Sequence, residues 1–370
     1  LAVTGGALNI GQDTRGVFAD NSVQINGDVT ASATETSGAG NVNIAGYGNQ
    51  VFQLVAGDSI VIDGNISAID NVNSRSIEFS ATTVDVGGDV TATNKGNIIF
   101  QDINGVTWDG APGGVAPVDM SSSTNPTKLT IAGDVSASDG GKVEFYSDDI
   151  DVGSLSAGAN GLVTVHGDQI TANNENGISV ANGVWFDGTN TATSGMLVKD
   201  TDVLTLKSTD ADADIDVAGG ISLATTNTLV LDSANDVIIS GQVAGKGLLD
   251  ITAGGDVTFN NNADIQGVLL VGKVGTGGEL TAGATDITMG DVSVSDVALI
   301  AANNVTTGAI SNAGDMTLSG AGAIKTGSIE TTAGVTDITG ASLTSTGLLN
   351  ASAGQTNLDI SGVTSFAGAV

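Results

Sequence analysis

Apolar and polar residues alternate along short segments of the chain, and turn-forming residues separate the segments. Residues 23–25 (Val-Gln-Ile) and 29–32 (Val-Thr-Ala-Ser) show this pattern on either side of an Asn-Gly-Asp turn. Alternation with a period of two, bounded by Gly, Asn and Asp, is typical of β-strands. We find no ten-residue window that combines a helical apolar period with a capping box, so the sequence predicts an all-β protein.

The strand segments recur at a fixed interval near the C-terminus. The dipeptide Ala-Gly occurs at 313–314, 333–334 and 353–354, so the spacing is constant. A period of ~20 residues with apolar residues in fixed phase indicates a solenoid, in which each repeat is one supersecondary unit. An apolar row keeps nearly the same spacing: Leu299, Leu318, Ile338 and Leu358.

Two all-β repeat architectures compete for this pattern. Propeller blades need ~40 residues per repeat and regular aromatic signatures, and aromatic residues supply only 3% of this chain. A parallel β-helix fits better, with about three short strands per coil and successive coils ~4.8 Å apart. The sequence therefore predicts one continuous right-handed β-solenoid over residues 1–370, in which the apolar rows stack directly from coil to coil.

Two segments interrupt the rhythm. Residues 101–128 contain all three prolines of the chain and Trp108, and proline cannot donate to a strand ladder. Residues 181–200 form a second irregular segment, which contains Phe186 and Met196. We expect both to be insertions that protrude from the solenoid, and we find no linker that would separate independent domains.

A Gly-Asp pair followed by a hydrophobic residue and Thr or Ser recurs along the chain. One interpretation is that the pair forms a corner with a solvated carboxylate; the other is that the Asp is a recurrent ligand. The first is favoured because Asp is a common turn former and Gly tolerates unusual backbone angles. The first pair lies in the Asn-Gly-Asp turn at residues 26–28, and the later pairs are Gly88-Asp89, Gly133-Asp134, Gly255-Asp256, Gly290-Asp291 and Gly314-Asp315.

The charge balance excludes several classes of partner. With 41 acidic and 10 basic residues the formal net charge is −31, so the chain lacks the basic footprint that nucleic acid requires. Binding to an anionic membrane surface is disfavoured for the same reason, and no run approaches the ~20 apolar residues that span a bilayer. There is no cysteine, which excludes disulfides and thiolate metal sites. The chain opens without Met or a basic leader, so we expect a processed product or an excised fragment.

Two carboxylate clusters are candidates for a cation site. If residues 210–216 form a strand, the alternating acids project from one face, and oxygen-rich sites of this kind suit Ca²⁺. The EF-hand pattern fails because Ile215 stands where it needs Gly and Ile221 where it needs Glu. A solvated acidic face is the default interpretation, and no cofactor is required. The candidate ligands are Asp210, Asp212, Asp214 and Asp216 in one cluster and Asp148, Asp149 and Asp151 in the other.

Catalysis is not expected. His166 is the only histidine, and it stands in a strand-turn phrase with no nucleophile elbow around it. A polysaccharide-degrading β-helix enzyme stays as an alternative, because such sites use paired carboxylates and the chain has many Asp residues. An ice-binding face is a further alternative, since Thr306, Thr326 and Thr346 recur with the spacing of the Ala-Gly dipeptides.

Residues 249–257 (Leu-Asp-Ile-Thr-Ala-Gly-Gly-Asp-Val) and 314–318 (Gly-Asp-Met-Thr-Leu) resemble haemagglutinin-type repeats of secreted bacterial exoproteins of the filamentous-haemagglutinin class. The resemblance is compositional and strongest over 208–362. It implies a right-handed β-helix displayed outside the bacterial cell as an adhesive or structural fibre. The Asn-Pro-Asn-Gly signature of that family's secretion domain is absent, so export would depend on a part outside this chain or on another route.

Neither end of the chain has the sequence pattern of a polar cap, although solenoids need caps to protect their end coils. We therefore expect a structural subunit that polymerises head-to-tail by stacking of end coils, with a possible adhesive role. The main alternative is a stalk fragment of a large adhesin that binds host surfaces or glycans. The predicted partner is a second copy of the chain, and the predicted location is outside a bacterial cell.

Overall fold

A computed structural model of the protein describes most of the chain. It divides the chain into two compact units, Leu1–Asn173 with Ala192–Thr201 and Asn174–Thr191 with Asp202–Val370, and each unit is described by itself. The described residues are 2–3, 8–10, 16–19, 22–27, 29–32, 42–45, 52–56, 58–69, 76–101, 128–147, 149–158, 160–166, 169–174, 178–180, 183–186, 195–199, 203–274, 280–352 and 354–367.

The described residues form strands and turns and contain no helix, so the all-β prediction is confirmed. In the first unit the strands are β1 (Ala2–Val3), β2 (Leu8–Ile10), β3 (Gly16–Ala19), β4 (Ser22–Ile25), β5 (Val29–Ser32), β6 (Val42–Ala45), β7 (Phe52–Ala56), β8 (Ser59–Ile62), β9 (Ile66–Ile69), β10 (Ser76–Ser80), β11 (Thr83–Val86), β12 (Val90–Thr93), β13 (Asn97–Gln101), β14 (Lys128–Ala137), β15 (Lys142–Tyr146), β16 (Asp149–Ala157), β17 (Leu162–His166) and β21 (Gly195–Lys199), and β18 (Gln169–Asn174) begins there.

Coils of the first unit contribute three strands each, and these pair in parallel with their equivalents in the next coil. Strand β11 pairs with β8 and β14, β12 with β9 and β14, and β13 with β10 and β15. Strand β14 serves two sheets because it turns a corner between Ile131 and Asp134. This is a parallel β-solenoid, as predicted.

Aromatic rings stack in the core of the first unit. The centroids of the Phe79 and Phe100 rings are 5.1 Å apart, and those of Phe100 and Phe145 are 5.6 Å apart. All three side chains are buried, and strand pairing places Phe100 between the other two. Stacked rings thus form the inward row in three successive coils, whereas aliphatic residues form it elsewhere.

The second unit repeats the same architecture with more regular coils. Its strands are β19 (Ile178–Val180), β20 (Val184–Phe186), β22 (Val203–Ser208), β23 (Ile215–Val217), β24 (Ile221–Leu223), β25 (Thr228–Ser233), β26 (Val237–Ile239), β27 (Val243–Gly245), β28 (Leu248–Ala253), β29 (Val257–Phe259), β30 (Ala263–Val271), β31 (Lys273–Val274), β32 (Leu280–Thr281), β33 (Ile287–Thr288), β34 (Val292–Ala301), β35 (Val305–Thr306), β36 (Ile310–Asn312), β37 (Met316–Thr326), β38 (Ile329–Thr331), β39 (Val335–Ser345), β40 (Leu349–Ala351), β41 (Gln355–Ile360) and β42 (Thr364–Phe366).

Strand alternation builds the core of the second unit. Buried and half-buried residues alternate along β22, β25 and β28, and the buried ones stack in register between coils. The predicted row is confirmed, because Leu299 pairs with Leu318, Leu318 with Ile338 and Ile338 with Leu358. The ~20-residue period is therefore the length of one coil.

One insertion was not predicted. Strands β31 and β32 form an antiparallel hairpin between β30 and β34. The coil that contains it is longer than the one before, because Leu248 pairs with Val268 whereas Val268 pairs with Asp296. Ile300 faces outward next to this hairpin, yet it is buried. Strand β32 lies against β34, which accounts for that burial.

The predicted insertions fall partly outside the described residues. For 101–128, residues 102–127 lie outside them, and Phe100 pairs with Phe145 in the next coil. In 181–200, by contrast, two stretches are solenoid strands. They carry the buried side chains of Phe186 and Met196, and residues 187–194 lie outside the described part.

Candidate assembly surface

Carboxylate and amide side chains at one corner of the second unit form a ladder from coil to coil. The Oδ1 atom of Asp236 accepts a hydrogen bond of 2.7 Å from the backbone N–H of Asp256. Asp256 accepts from Asp286 at 3.1 Å, Asp286 from Asn304 at 2.8 Å, and Asn304 from Ala323 at 2.8 Å. Each rung satisfies a backbone donor at a corner, where no strand partner is available.

The two other corners of the second unit carry shorter ladders of the same kind. In each of them a side-chain oxygen accepts the backbone N–H of the equivalent residue one coil further on. The rungs run from Asp296 through Asp315 to Val335, at 2.7 and 2.8 Å, and from Asn262 through Asp291 to Ala309, at 2.9 and 2.7 Å.

The glycine of the recurring Gly-Asp pair is required by these ladders. A Cβ atom on Gly255 would fall on Oδ1 of Asp236, which occupies that space. The first unit repeats the arrangement: a Cβ on Gly133 would meet Oδ1 of Asp89, which accepts the N–H of Asp134 at 2.9 Å. The corner interpretation of the pair is confirmed at these positions.

The Asp and Asn ladders end before the last coils, and exposed hydrophobic residues lie at three of the later corner positions. These are Val335, Leu348 and Val363, which are 37%, 43% and 73% exposed. The backbone N–H of Leu343 donates to the oxygen of Val363, which places Val363 on the corner that Asp256 and Asn304 occupy in earlier coils. Val335 is followed one coil further on by Gln355, so of these three residues only Val363 lies in the last coil, and its side chain accepts no hydrogen bond.

The inward row also changes at residues 354–367, which we call the end coil. Leu299, Leu318 and Ile338 are 0% exposed, whereas Leu358 in the same row is 43% exposed. Leu358 packs on Ile338 below it, and no described residue covers it from above. The end coil thus presents the same apolar face that every earlier coil buries against its neighbour.

The backbone of the end coil is likewise paired on one side. Strands β41 and β42 both pair with β39, and within the described ranges no further strand is paired to their opposite side. Exposed strand edges of this kind are templates for another strand. Once the coils are aligned, the sequence signal for this surface is Val363 at a corner position that Asp256 and Asn304 hold in earlier coils.

The structure separates the predicted cluster of Asp210, Asp212, Asp214 and Asp216. Residues 210–212 form a turn and only Ile215–Val217 is a strand, so the four acids do not share one strand face. Asp214 begins the first ladder, where its Oδ1 accepts the N–H of Asp236 at 3.2 Å. Burial, and then the charge of Asp214, raise the pKa of Asp216 above its usual value.

The calcium hypothesis stays a prediction. Across the described residues, no three His, Asp or Glu side chains gather in a group that could hold a metal ion. In the second predicted cluster, Asp148 lies outside the described residues, and so do the side chains of Asp149 and Asp151.

Two further candidates can be placed. His166 is the last residue of β17, and its side chain lies outside the described part. The threonine rank proposed for ice binding is wrong, because Thr306 pairs with Lys325 and Thr326 is buried rather than outward.

A group of charged side chains lies on the outward face of β22, β25 and β28, and the sequence pattern did not predict it. Lys207 Nζ lies 2.7 Å from Asp232 Oδ2 across two neighbouring coils. Burial, and then the charge of Asp232, raise the pKa of Asp250 in the next coil. Asp250 is a single half-buried carboxylate between Val230 and Leu270, so its expected effect is on stability.

In comparisons with known proteins, no family model, curated protein or solved structure matches the chain. The described residues also contain no helix that is long and apolar enough to cross a membrane.

Proposed function

We propose that the chain is a structural subunit of an extracellular bacterial fibre, in which copies join end to end through the end coil. The observation that carries this proposal is the exposure of Leu358 at the top of a row whose other members are fully buried. Burying a leucine side chain contributes about 1.5–3 kcal/mol. Covering Leu358 with a further coil would therefore be energetically favourable.

The proposed neighbour is the first coil of a second copy. In that coil β1 pairs with β4 and β2 with β6, both in parallel, so it offers strands that run in the direction the end coil accepts. Stacking of this kind repeats the joint already present between coils of one chain. It is also heterologous, and heterologous contacts that do not close generate filaments.

The resemblance to filamentous-haemagglutinin-type repeats supports an extracellular location and a bacterial source for such a fibre. It rests on coil composition rather than on site residues, so it bears on the class of protein and on no ligand. For an adhesive role, the candidate segment is residues 102–127, which interrupt the repeat in the sequence.

The proposal is tested by imaging the purified chain over a range of concentrations with negative-stain electron microscopy and sedimentation. We expect filaments that lengthen with concentration, and we expect Leu358→Asp to abolish them because it places a charge in the joint. Thr288→Asp is the matched control: Thr288 is exposed on β33, several coils earlier and facing outward, and this variant should still assemble. Circular dichroism checks that both variants are folded. Wild-type particles that stay single at every concentration would overturn the proposal.

A further inference from the structure

The joint between copies differs from the joints inside the chain in two respects. Asp and Asn rungs close this corner as far as Asn304, whereas Ala323 and Ser342 follow in the next coils and the end coil offers Val363. An incoming coil would therefore gain hydrophobic contact at that corner but no side-chain acceptor for its backbone donor. The proposed joint between copies therefore depends more on apolar burial than the internal joints that carry Asp and Asn rungs.

Electrostatic repulsion opposes this joint, whereas apolar burial favours it. Residues 315–370 carry four acids, Asp315, Glu330, Asp337 and Asp359, against Lys325 alone. Residues 1–30 carry Asp13, Asp20 and Asp28 against Arg15. Both terminal segments of the sequence are thus net negative, within a chain whose net charge is −31, so two copies repel each other on approach.

We infer that ionic strength controls assembly: the proposed joint stays open at low salt, where the acidic ends repel, and closes when salt screens them. This inference rests on the proposed function. Two unit charges about 10 Å apart in water change an association constant by about twofold. The Debye length falls from about 30 Å at 0.01 M salt to about 3 Å at 1 M, so screening removes this repulsion while apolar burial remains.

Asp359 gives the local test of the inference. It is exposed on β41 of the end coil, where substitution is expected to leave the rest of the unit folded. Asp359→Lys should lower the salt concentration needed for assembly. Asp264→Lys is the matched control, since Asp264 is also exposed and faces outward but lies on β30, several coils away. At about 0.1 M salt that separation exceeds the Debye length, so the control should behave like wild type.

The experiment follows filament formation by light scattering from about 0.01 to 0.5 M NaCl, with CaCl₂ at matched ionic strength in parallel. We expect the concentration of chain needed for assembly to fall at least about tenfold over this range, and we expect Ca²⁺ to act as Na⁺ does. Equal assembly at all salt concentrations would overturn the inference and leave the fibre proposal standing. Assembly only with Ca²⁺, or an equal shift in both lysine variants, would also overturn it. Wild type that never assembles would refute the proposed function itself.

Discussion

Replacing Asp236 removes one rung of the longest ladder and separates two effects of the carboxylate. Its Oδ1 accepts the backbone N–H of Asp256 at 2.7 Å, which stabilises the stacking of two coils. Its charge, however, lies one coil above Asp214 and one coil below Asp256, at the ~4.8 Å spacing of paired strands. Alanine removes both the acceptor and the charge, whereas asparagine removes only the charge.

The two contributions can be estimated separately. A neutral hydrogen bond contributes about 0.5–1.5 kcal/mol net, and this rung is exposed, so we expect Asp236→Asn to be about 1 kcal/mol more stable than Asp236→Ala. Two like charges ~5 Å apart in water repel by about 0.8 kcal/mol before screening. Asparagine should therefore also be more stable than the wild-type aspartate at low salt, and that advantage should shrink as salt is added.

Thermal unfolding followed by circular dichroism measures both differences. For a cooperative unit of about 150–250 residues, about 1 kcal/mol corresponds to about 2–4 °C in Tm, so the Asn and Ala variants should be resolved at every salt concentration. The same two substitutions at Asp264, an outward residue of β30, serve as control and should differ by less than about 0.5 kcal/mol. If Asn and Ala at position 236 melt together, the carboxylate ladder does not stabilise the stack.

Three further substitutions test other parts of the structure. Because the folded-state pKa of Asp250 is raised, its deprotonation costs stability as pH rises through that value. Asp250→Asn should therefore have a higher Tm than wild type at about pH 7 and the same Tm as wild type below 3.8. Asp264→Asn should not show this pH dependence, and identical pH profiles of the two variants would contradict the prediction. Phe100→Ala should lower the free energy of unfolding in urea by about 3–5 kcal/mol because it opens the aromatic stack, and a loss under about 1 kcal/mol would show that the rings do not pack as described. Gly161→Ala places a Cβ on the backbone oxygen of Ala137 and should lower Tm, so an unchanged Tm would contradict that close approach.

The sequence predicts the coil better than the corners. Alternation and the constant repeat spacing suffice to place Leu318 below Ile338, because a stacked inward row requires both the period of a strand and the length of a coil. The Asp-Ala alternation at 210–214 misleads, because it has the period of a strand with residues of low strand propensity. Its backbone turns instead, and the oxygen of Ala213 accepts hydrogen bonds from Ser208 and Ser233.

The corner ladders and the end surface could be predicted only in part. Each rung joins residues whose separation varies with the length of the coil, so no fixed spacing marks the pairs. The hairpin at β31 and β32 was missed for a related reason: its strands are two residues long and carry little periodic signal. The exposure of Leu358 depends on what lies above it in the stack. The spacing of the apolar residues in its row does not predict this.

The ladders also explain how coils of different length share one stack. The same bond between a side-chain oxygen and a backbone N–H spans 20 residues from Asp236 to Asp256, 30 from Asp256 to Asp286, and 45 from Asp89 to Asp134. The joint therefore depends on the corner and on the inward row, while the chain between corners is free to lengthen. Coils of unequal length therefore keep the same rung, and residues added between two corners need not disturb the stacking of the coils.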